Sequence, residues 1–529
     1  MPVNNQEQAD VVVVGAGLAG MMAALAAEQA GADVVLADRG PIGTGTNSAL
    51  SNAVFSGPVS EERAEEYVDL VLQIGRRLNR VAYVRRVAHE ALAAVAFLES
   101  LGLEITRTPG QWTVRSSRPE MIPGISLVRR VADLVEGRDR IRAVRGFCVQ
   151  THLKTPDRIV GVRGVGLDGG ERELWAPAII LACGGAGAIY AKHDNQASIL
   201  GQGYHLAARA GLDLWDMEFV QSYPIVLDEP NMPMMMIYPP YPSEATLIGP
   251  SGEDLVQKHG LGNINQAIIR KRDVFSAILV AEGKGGPVRM DLRTVPDDAW
   301  EVHPLSLLKQ FKAECRRRPI RISPAVHFFM GGVLTDEKGR TSLGGLFACG
   351  EMVWGLHGAN RMGGNALMEC LVSGRLAGLG AARCAKANPA LLAETISSVR
   401  GQSAPGSERV DLRDLRRRLQ GIASEYAGVV RSGDGMVAGL REAEEVQRTL
   451  HAARADGPKE RILREDLLSA VFTLRAILTA GLGRLESRGS FLRADYPAQD
   501  DAQWLRNSRL TWDAATDRLH VQYAPAAAP

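Results

Sequence analysis

The chain has 529 residues, with 61 Lys plus Arg against 60 Asp plus Glu and a formal charge of +1. That balance argues against nucleic-acid binding and against a strongly basic membrane-surface protein, and the length accommodates roughly two to four domains with large cores. Glycine is the outlier: 56 are present where a share of about 7% would give roughly 37.

No basic residue precedes Arg39, so neither a secretory signal nor a transit peptide is expected. The uncharged stretch Val11 to Ala27 is short for a membrane helix and is interrupted by glycines. No direct membrane span is expected from it. Val11 to Val14 is a continuous β-branched run and predicts a strand buried on both faces. Gly15-Ala-Gly-Leu-Ala-Gly20 follows, then helix-prone Met21 to Glu28. Val34 to Ala37 predicts a second strand, ending at Asp38. This is one βαβ unit.

Gly15, Gly17 and Gly20 stand directly between strand and helix. The first permits a tight turn, the second lets backbone approach a pyrophosphate, and the third allows close helix–strand packing. The helix N-terminus then offers N–H groups to phosphates. Asp38, at the end of the second strand, is placed to bind ribose hydroxyls. A bound dinucleotide is expected.

Residues 61–101 predict helix, and 141–181 predict short strands, among them Ile159 to Val165 and Ala178 to Ala182. Ile179 to Gly187, which contains Gly184, and Leu346 to Glu351 are further strands that end in glycine. Several such strands, far apart in sequence, favour one large cofactor gripped along its length, hence FAD over NAD. Residues 224–250 are rich in Pro, Met and Tyr and disfavour helix. Residues 327–380 are glycine-dense, 397–409 read as a linker, 411–485 read as helical, and Ala524 to Pro529 reads as a loose tail. The six cysteines are scattered singly with no CxxC pair. Neither a zinc site nor an iron–sulfur cluster is expected. Nothing demands an oxidising compartment, so a cytoplasmic location is expected.

His327-Phe-Phe-Met-Gly-Gly332, Gly339-Arg-Thr-Ser342, Gly350-Glu351 and His357-Gly-Ala-Asn-Arg-Met-Gly-Gly-Asn-Ala-Leu367 resemble the flavoprotein subunits of succinate dehydrogenase and fumarate reductase. L-Aspartate oxidase belongs to the same superfamily. The tail agrees, through Glu486-Ser-Arg-Gly489, Arg493, Asp495-Tyr-Pro497 and Asp500-Asp501 to Trp504. The resemblance covers nearly the whole chain. It implies an α/β fold with a Rossmann-like FAD-binding domain, discontinuous over 1–225 and 318–400. An α+β capping domain would be inserted over 226–317, and a helical C-terminal domain would occupy 401–529. The family's covalent FAD attachment uses a histidine, and the matching residue is Asn47, which implies non-covalent FAD. Glu351 would bind the ribityl or ribose region. Asn365 and Leu367 would lie along the flavin ring and its pyrimidine edge, and Ser48 near the phosphates or flavin.

The resemblance also implies hydride transfer between flavin N5 and a carbon β to a carboxylate or carbonyl, with a proton moving at the α-carbon. Fixed cations aimed at the carboxylate stabilise the charge that develops there. His327 and Arg361 match the carboxylate ligands, and Arg361 can bind a carboxylate through two parallel N–H bonds. Arg272 matches the family's proton-delivering arginine. A guanidinium holds its proton in water, so it can work only as a relay.

Four departures from the family pattern stand out. Asn47 is the first. A glycine pair near the flavin becomes Ala53-Val54. A His-Pro-Thr segment reads Tyr223-Pro-Ile225, which puts the Tyr223 phenol among the site residues in place of a cationic donor. The cap's Thr-Glu and Arg-Gly-Glu-Gly-Gly elements are replaced by Met234-Met-Met-Ile-Tyr-Pro-Pro-Tyr-Pro242. One carboxylate site survives and the other end is apolar and aromatic. The expected substrate is a small organic acid or carbonyl compound other than plain succinate. The Met-Tyr-Pro stretch packing on a partner is an alternative. An amino-acid oxidase of the L-aspartate oxidase kind and an electron-transfer subunit of a larger complex also stay open. With no iron–sulfur ligands and no CxxCH, electrons are expected to leave through oxygen, a soluble acceptor, or an iron–sulfur or other electron-transfer subunit.

Overall fold

Val11–Val14 (β1) buries all four of its side chains, as a β-branched run does when helices cover both faces of a parallel sheet. The computed structural model describes residues 6–230, 232–388 and 406–526, with side chains at all of these but Arg270 and Lys271. β1 is the middle strand of a five-stranded parallel sheet. On one side it pairs with Val34–Asp38 (β2), which pairs with Ile141–Arg145 (β3). On the other it pairs with Ala178–Leu181 (β4), which pairs with Leu346–Ala348 from much later in the chain. The chain leaves β1 through Gly15, whose φ is 106°, and enters helix α1 (Leu18–Gln29). A Cβ on Gly20 would lie 1.8 Å from the Gly15 carbonyl oxygen. Only glycine lets the helix start this close to the turn.

The predicted helical stretch 61–101 is two helices, Ala64–Ile74 (α2) and Val81–Ser100. They are separated where Arg76 and Arg77 take φ of 55° and 60°, values that no α-helix contains.

A second core gathers Tyr223, Tyr241, Phe275, Met290 and Trp300. Its antiparallel sheet runs from Val220–Leu227 (β5) to Ile320–Phe329 (β6), then Arg289–Asp291 and Thr246–Ile248. Helix α3 (Ile264–Gly283) packs on β5 and β6. The two long strands serve both cores: Val220 and Phe329 are in the first, Tyr223 and Ala325 in the second. Between Tyr223 and Val226 the β5–β6 register shifts, across Pro224, which has no N–H to give.

Helix α4 (Asn365–Ala387) lies against α1. Helix α5 (Pro458–Gly483) begins with proline in its first turn, where a missing N–H costs nothing. It is long and apolar enough to cross a membrane, but 83% of its apolar window is buried inside the protein, which makes it a core helix. The chain does not stay helical to its end. Arg506–Asp513 (β7) and Arg518–Pro525 (β8) form an antiparallel hairpin, and β7 pairs with Leu214–Trp215. The hairpin adds two strands to the helical C-terminal domain, and it corrects the loose-tail reading at Ala524 and Pro525, which belong to β8. Partners nearly 300 residues away in sequence, invisible locally, hold the strand. Most of the stretch read as a linker falls at 389–405, outside the described residues.

Candidate active site

The turn after β1 is fastened to the end of β2. The Ala16 and Gly40 N–H groups each donate to an Asp38 carboxylate oxygen at 2.7 Å. Burial pushes the Asp38 carboxyl up, against the pull of these two bonds. The Leu18 N–H donates to Ser48 Oγ at 3.2 Å. Gly15, Gly17, Asp38, Ser48, Gly184 and Glu351 line a cavity of about 130 Å³. Asn47, Ser48, Glu351 and Cys370 also line a second cavity of about 1090 Å³. The two cavities adjoin at these four residues, one reaching the glycine turn and the other the second core.

Glu351 stands where the two cavities meet. It accepts from the Phe329 N–H at 3.1 Å, and burial pushes its carboxyl up to about 7. A Cβ on Gly185 would lie 2.2 Å from its Oε1, so glycine there leaves the carboxylate its place. A buried carboxylate with acceptor capacity to spare suits a sugar or ribityl hydroxyl. Together with the glycine turn and the helix N-terminus, these residues fit an extended flavin dinucleotide.

Asn47 has both ends of its amide engaged: Nδ2 donates to Asn195 Oδ1 at 2.6 Å, and Oδ1 accepts from the Gln196 N–H at 2.8 Å. Leu367 lines the larger cavity, as do Gly364 and Ala366. Asn365 lies behind that wall. It is fully buried, its Oδ1 accepts from the Tyr67 hydroxyl at 2.9 Å, and its Nδ2 has no partner. The structure therefore places the Asn365 side chain off the cavity, because α4 turns it toward α2.

Arg272, His327, Arg361 and Tyr223 all line the larger cavity. The Arg361 guanidinium is buried. Its Nε donates to Gln221 Oε1 at 3.1 Å and its Nη1 to the Met362 carbonyl at 3.3 Å, and it sits 4.8 Å over the Phe328 ring. No carboxylate forms an ion pair with it among the described residues. Burial, and after that the charge of Arg272, pull its pKa down to about 10, so it is still a cation at neutral pH. From α3, Arg272 Nη2 donates to the Arg361 carbonyl oxygen, and its Nε is buried without a partner. The charge of Arg272 thus reaches Arg361 while no carboxylate is ion-paired with Arg361 among the described residues. An unpaired buried cation is costly, and a carboxylate ligand would relieve it.

His327, on β6, holds its Nδ1 2.8 Å from Asp194 Oδ2. With Nδ1–H given to Asp194, Nε2 carries a proton only in the imidazolium form. The Tyr223 hydroxyl is 3.1 Å from the Tyr241 hydroxyl, which donates to the Ile237 carbonyl. Tyr241 has one proton and has spent it, so Tyr223 is the donor between them. The Tyr223 oxygen is left as an acceptor only. Burial pushes its phenol well above the usual range.

Several site residues carried no signal of their own. Asn360 accepts from Gln221 Nε2 at 2.8 Å and donates to Asp273 Oδ2 at 2.6 Å. That chain ties Arg361 to α3. Asn360 and Asp273 adjoin Arg361 and Arg272 in sequence, and that adjacency was the available clue. Asp194 had none: its N–H bonds to the Val326 carbonyl at 3.2 Å, which sets it beside His327. Met236, Tyr238 and Pro239 line the cavity, whereas Met232, Met234 and Met235 pack on the second core.

Residues 10–367 match the FAD binding domain family, and residues 416–528 match the fumarate reductase flavoprotein C-terminal family. An L-aspartate oxidase of Agrobacterium fabrum is 32% identical over 525 residues, covering 96% of this chain and 94% of that protein. A fumarate reductase (CoM/CoB) chain of Methanothermobacter marburgensis is 28% identical, covering 95% of this chain and 97% of that one. Among solved structures, the FrdA chain of E. coli quinol fumarate reductase superposes with a TM-score of 0.85 at 24% identity, covering 99% of this chain and 97% of that one. At that identity the likeness is one of fold.

Proposed function

Because this chain belongs to the flavoprotein family of the fumarate reductases and L-aspartate oxidases, and is an FAD-dependent oxidoreductase, we propose that it acts on the carbon–carbon bond beside a carboxylate. The substrate is an organic acid other than plain succinate. FAD, held without a covalent bond, supplies the acceptor or donor of the hydride. The observation that carries the reading is the buried, anion-free Arg361 guanidinium in a cavity that adjoins the one at the glycine turn.

Arg361 and His327 hold the substrate carboxylate, and Arg361 offsets the charge that grows on it in the transition state. Asp194 orients the His327 ring through its contact with Nδ1. Arg272 moves the proton at the α-carbon as a relay, since a guanidinium that gives up a proton must take one back at once. Its unpartnered Nε is the group with capacity to spare. Gln221 and Asn360 fix the angle of Arg361. An acceptor-only Tyr223 and the apolar Met236 and Pro239 offer nothing to a second carboxylate. The sequence has no CxxC or CxxCH motif, so an iron–sulfur or other electron-transfer partner, or a soluble acceptor, completes the cycle.

Anaerobic bleaching of the bound flavin by a panel of carboxylates tests the reading. Efficient turnover of succinate with a dye acceptor, at ordinary substrate levels, overturns the substrate assignment. A second reading, oxidation of an amino acid, is favoured by the 32% identity to an L-aspartate oxidase and by the Tyr223 oxygen, which suits a substrate ammonium. Peroxide release with amino acids separates the two.

A further inference from the structure

We propose that the substrate carries an apolar chain, running from the Arg361 anion site out through a mouth between α2 and α3. The inference rests on the carboxylate reading above. Among the described residues ten large hydrophobic side chains are exposed, and three of them line this one cavity. They are Leu70 on α2, 46% exposed, with Ile269 and Val274 on α3, 78% and 51% exposed. A scattered exposed leucine needs no explanation, but three at one opening, from two elements, form an apolar rim. Inside the rim the wall continues with Ile74, Ile268 and Met236. The anion site sits in the same cavity of about 1090 Å³, whose other side, at Asn47, Ser48, Glu351 and Leu367, is the one that fits the flavin. A cation at the inner end and an oily rim at the outer end match a monocarboxylate with a hydrocarbon tail. Arg76 also lines this opening, so a ligand with a second carboxylate at its far end is the competing occupant.

The test uses the FAD-loaded protein and saturated straight-chain monocarboxylates from acetate to octanoate, read by the flavin absorbance change on binding. Affinity is expected to rise about threefold to fourfold per methylene as the chain runs along the wall. Ile269→Asp combined with Val274→Asp is expected to weaken octanoate about tenfold or more and acetate less than twofold. Both positions are exposed, and the double variant is expected to fold. Affinity that is flat along the series overturns the tail, and so does tighter binding of the dicarboxylate of equal length. In either case a loss of all binding in Arg361→Gln leaves the carboxylate reading standing. If no monocarboxylate perturbs the flavin and Arg361→Gln changes nothing, the carboxylate reading falls and the tail with it.

Discussion

The side chain of Arg272 donates a hydrogen bond to the backbone carbonyl of Arg361. A half-buried cation is thus seated on the backbone of the residue that carries a buried one. On the proposed reading, this contact joins the proton relay to the anion site.

Arg361 trades stability for binding. Arg361→Met removes a buried charge that is ion-paired with no carboxylate among the described residues, so the substrate-free, FAD-loaded protein is expected to gain on the order of 1 kcal/mol. Its kcat/KM on the true substrate is expected to fall by about 10²- to 10³-fold. Thermal unfolding and steady-state kinetics on one preparation check both. A variant that loses stability and keeps activity contradicts the assignment.

Arg272→Gln separates proton transfer from electron transfer. Substrate-driven flavin bleaching is expected to slow by about 10²- to 10⁴-fold. Reduction by dithionite and the affinity for an inert carboxylate are expected to stay the same. Bleaching at the original rate would end the relay role.

Tyr223→Phe is expected to be mild in kinetics. Its proton already goes to Tyr241, so kcat is expected to change less than about fivefold, within the scale of one neutral hydrogen bond. Stability is expected to drop by about 1 kcal/mol, since the Tyr241 oxygen loses its donor. A collapse of kcat equal to that of the Arg361 variant would show that Tyr223 donates to substrate.

Glu351 predicts a pH signature of the apoprotein. Burial raises its carboxyl from 4.5 to about 7, so the folded state binds more protons than the unfolded state between those values. Its contribution is fully present below about pH 4.5 and is lost as pH climbs through about 7, by on the order of 3 kcal/mol. Asp216, raised to about 7 by burial, titrates in the same window. The difference in thermal stability between the wild-type protein and Glu351→Gln, followed over pH 4.5–8, isolates Glu351. Parallel curves would exclude the linkage.

Local pattern made the nucleotide half legible. Val11 to Val14, the glycines at 15, 17 and 20, and Asp38 act within one βαβ unit, and the strand, turn and carboxylate lie where spacing put them. Arg272, His327 and Arg361 were reachable through motifs, and they line one cavity. Two facts were out of reach. The Asp194–His327 pair joins residues 133 apart in sequence, with no local mark on Asp194. The direction of the Tyr223 proton depends on where Tyr241 spends its own, which is set by the packed second core. The β7–β8 hairpin escaped for the same kind of reason: its edge partner is the two-residue strand Leu214–Trp215.

β5 and β6 run unbroken from one core into the other. The second core is therefore a continuation of a ribbon and is not hung on loops. Pro224 gives the ladder no donor, and the register shifts there and again between Gln221 and Ser222. Stiffening the ribbon beside Tyr223 is therefore expected to slow ligand exchange without altering any group that lines the cavity.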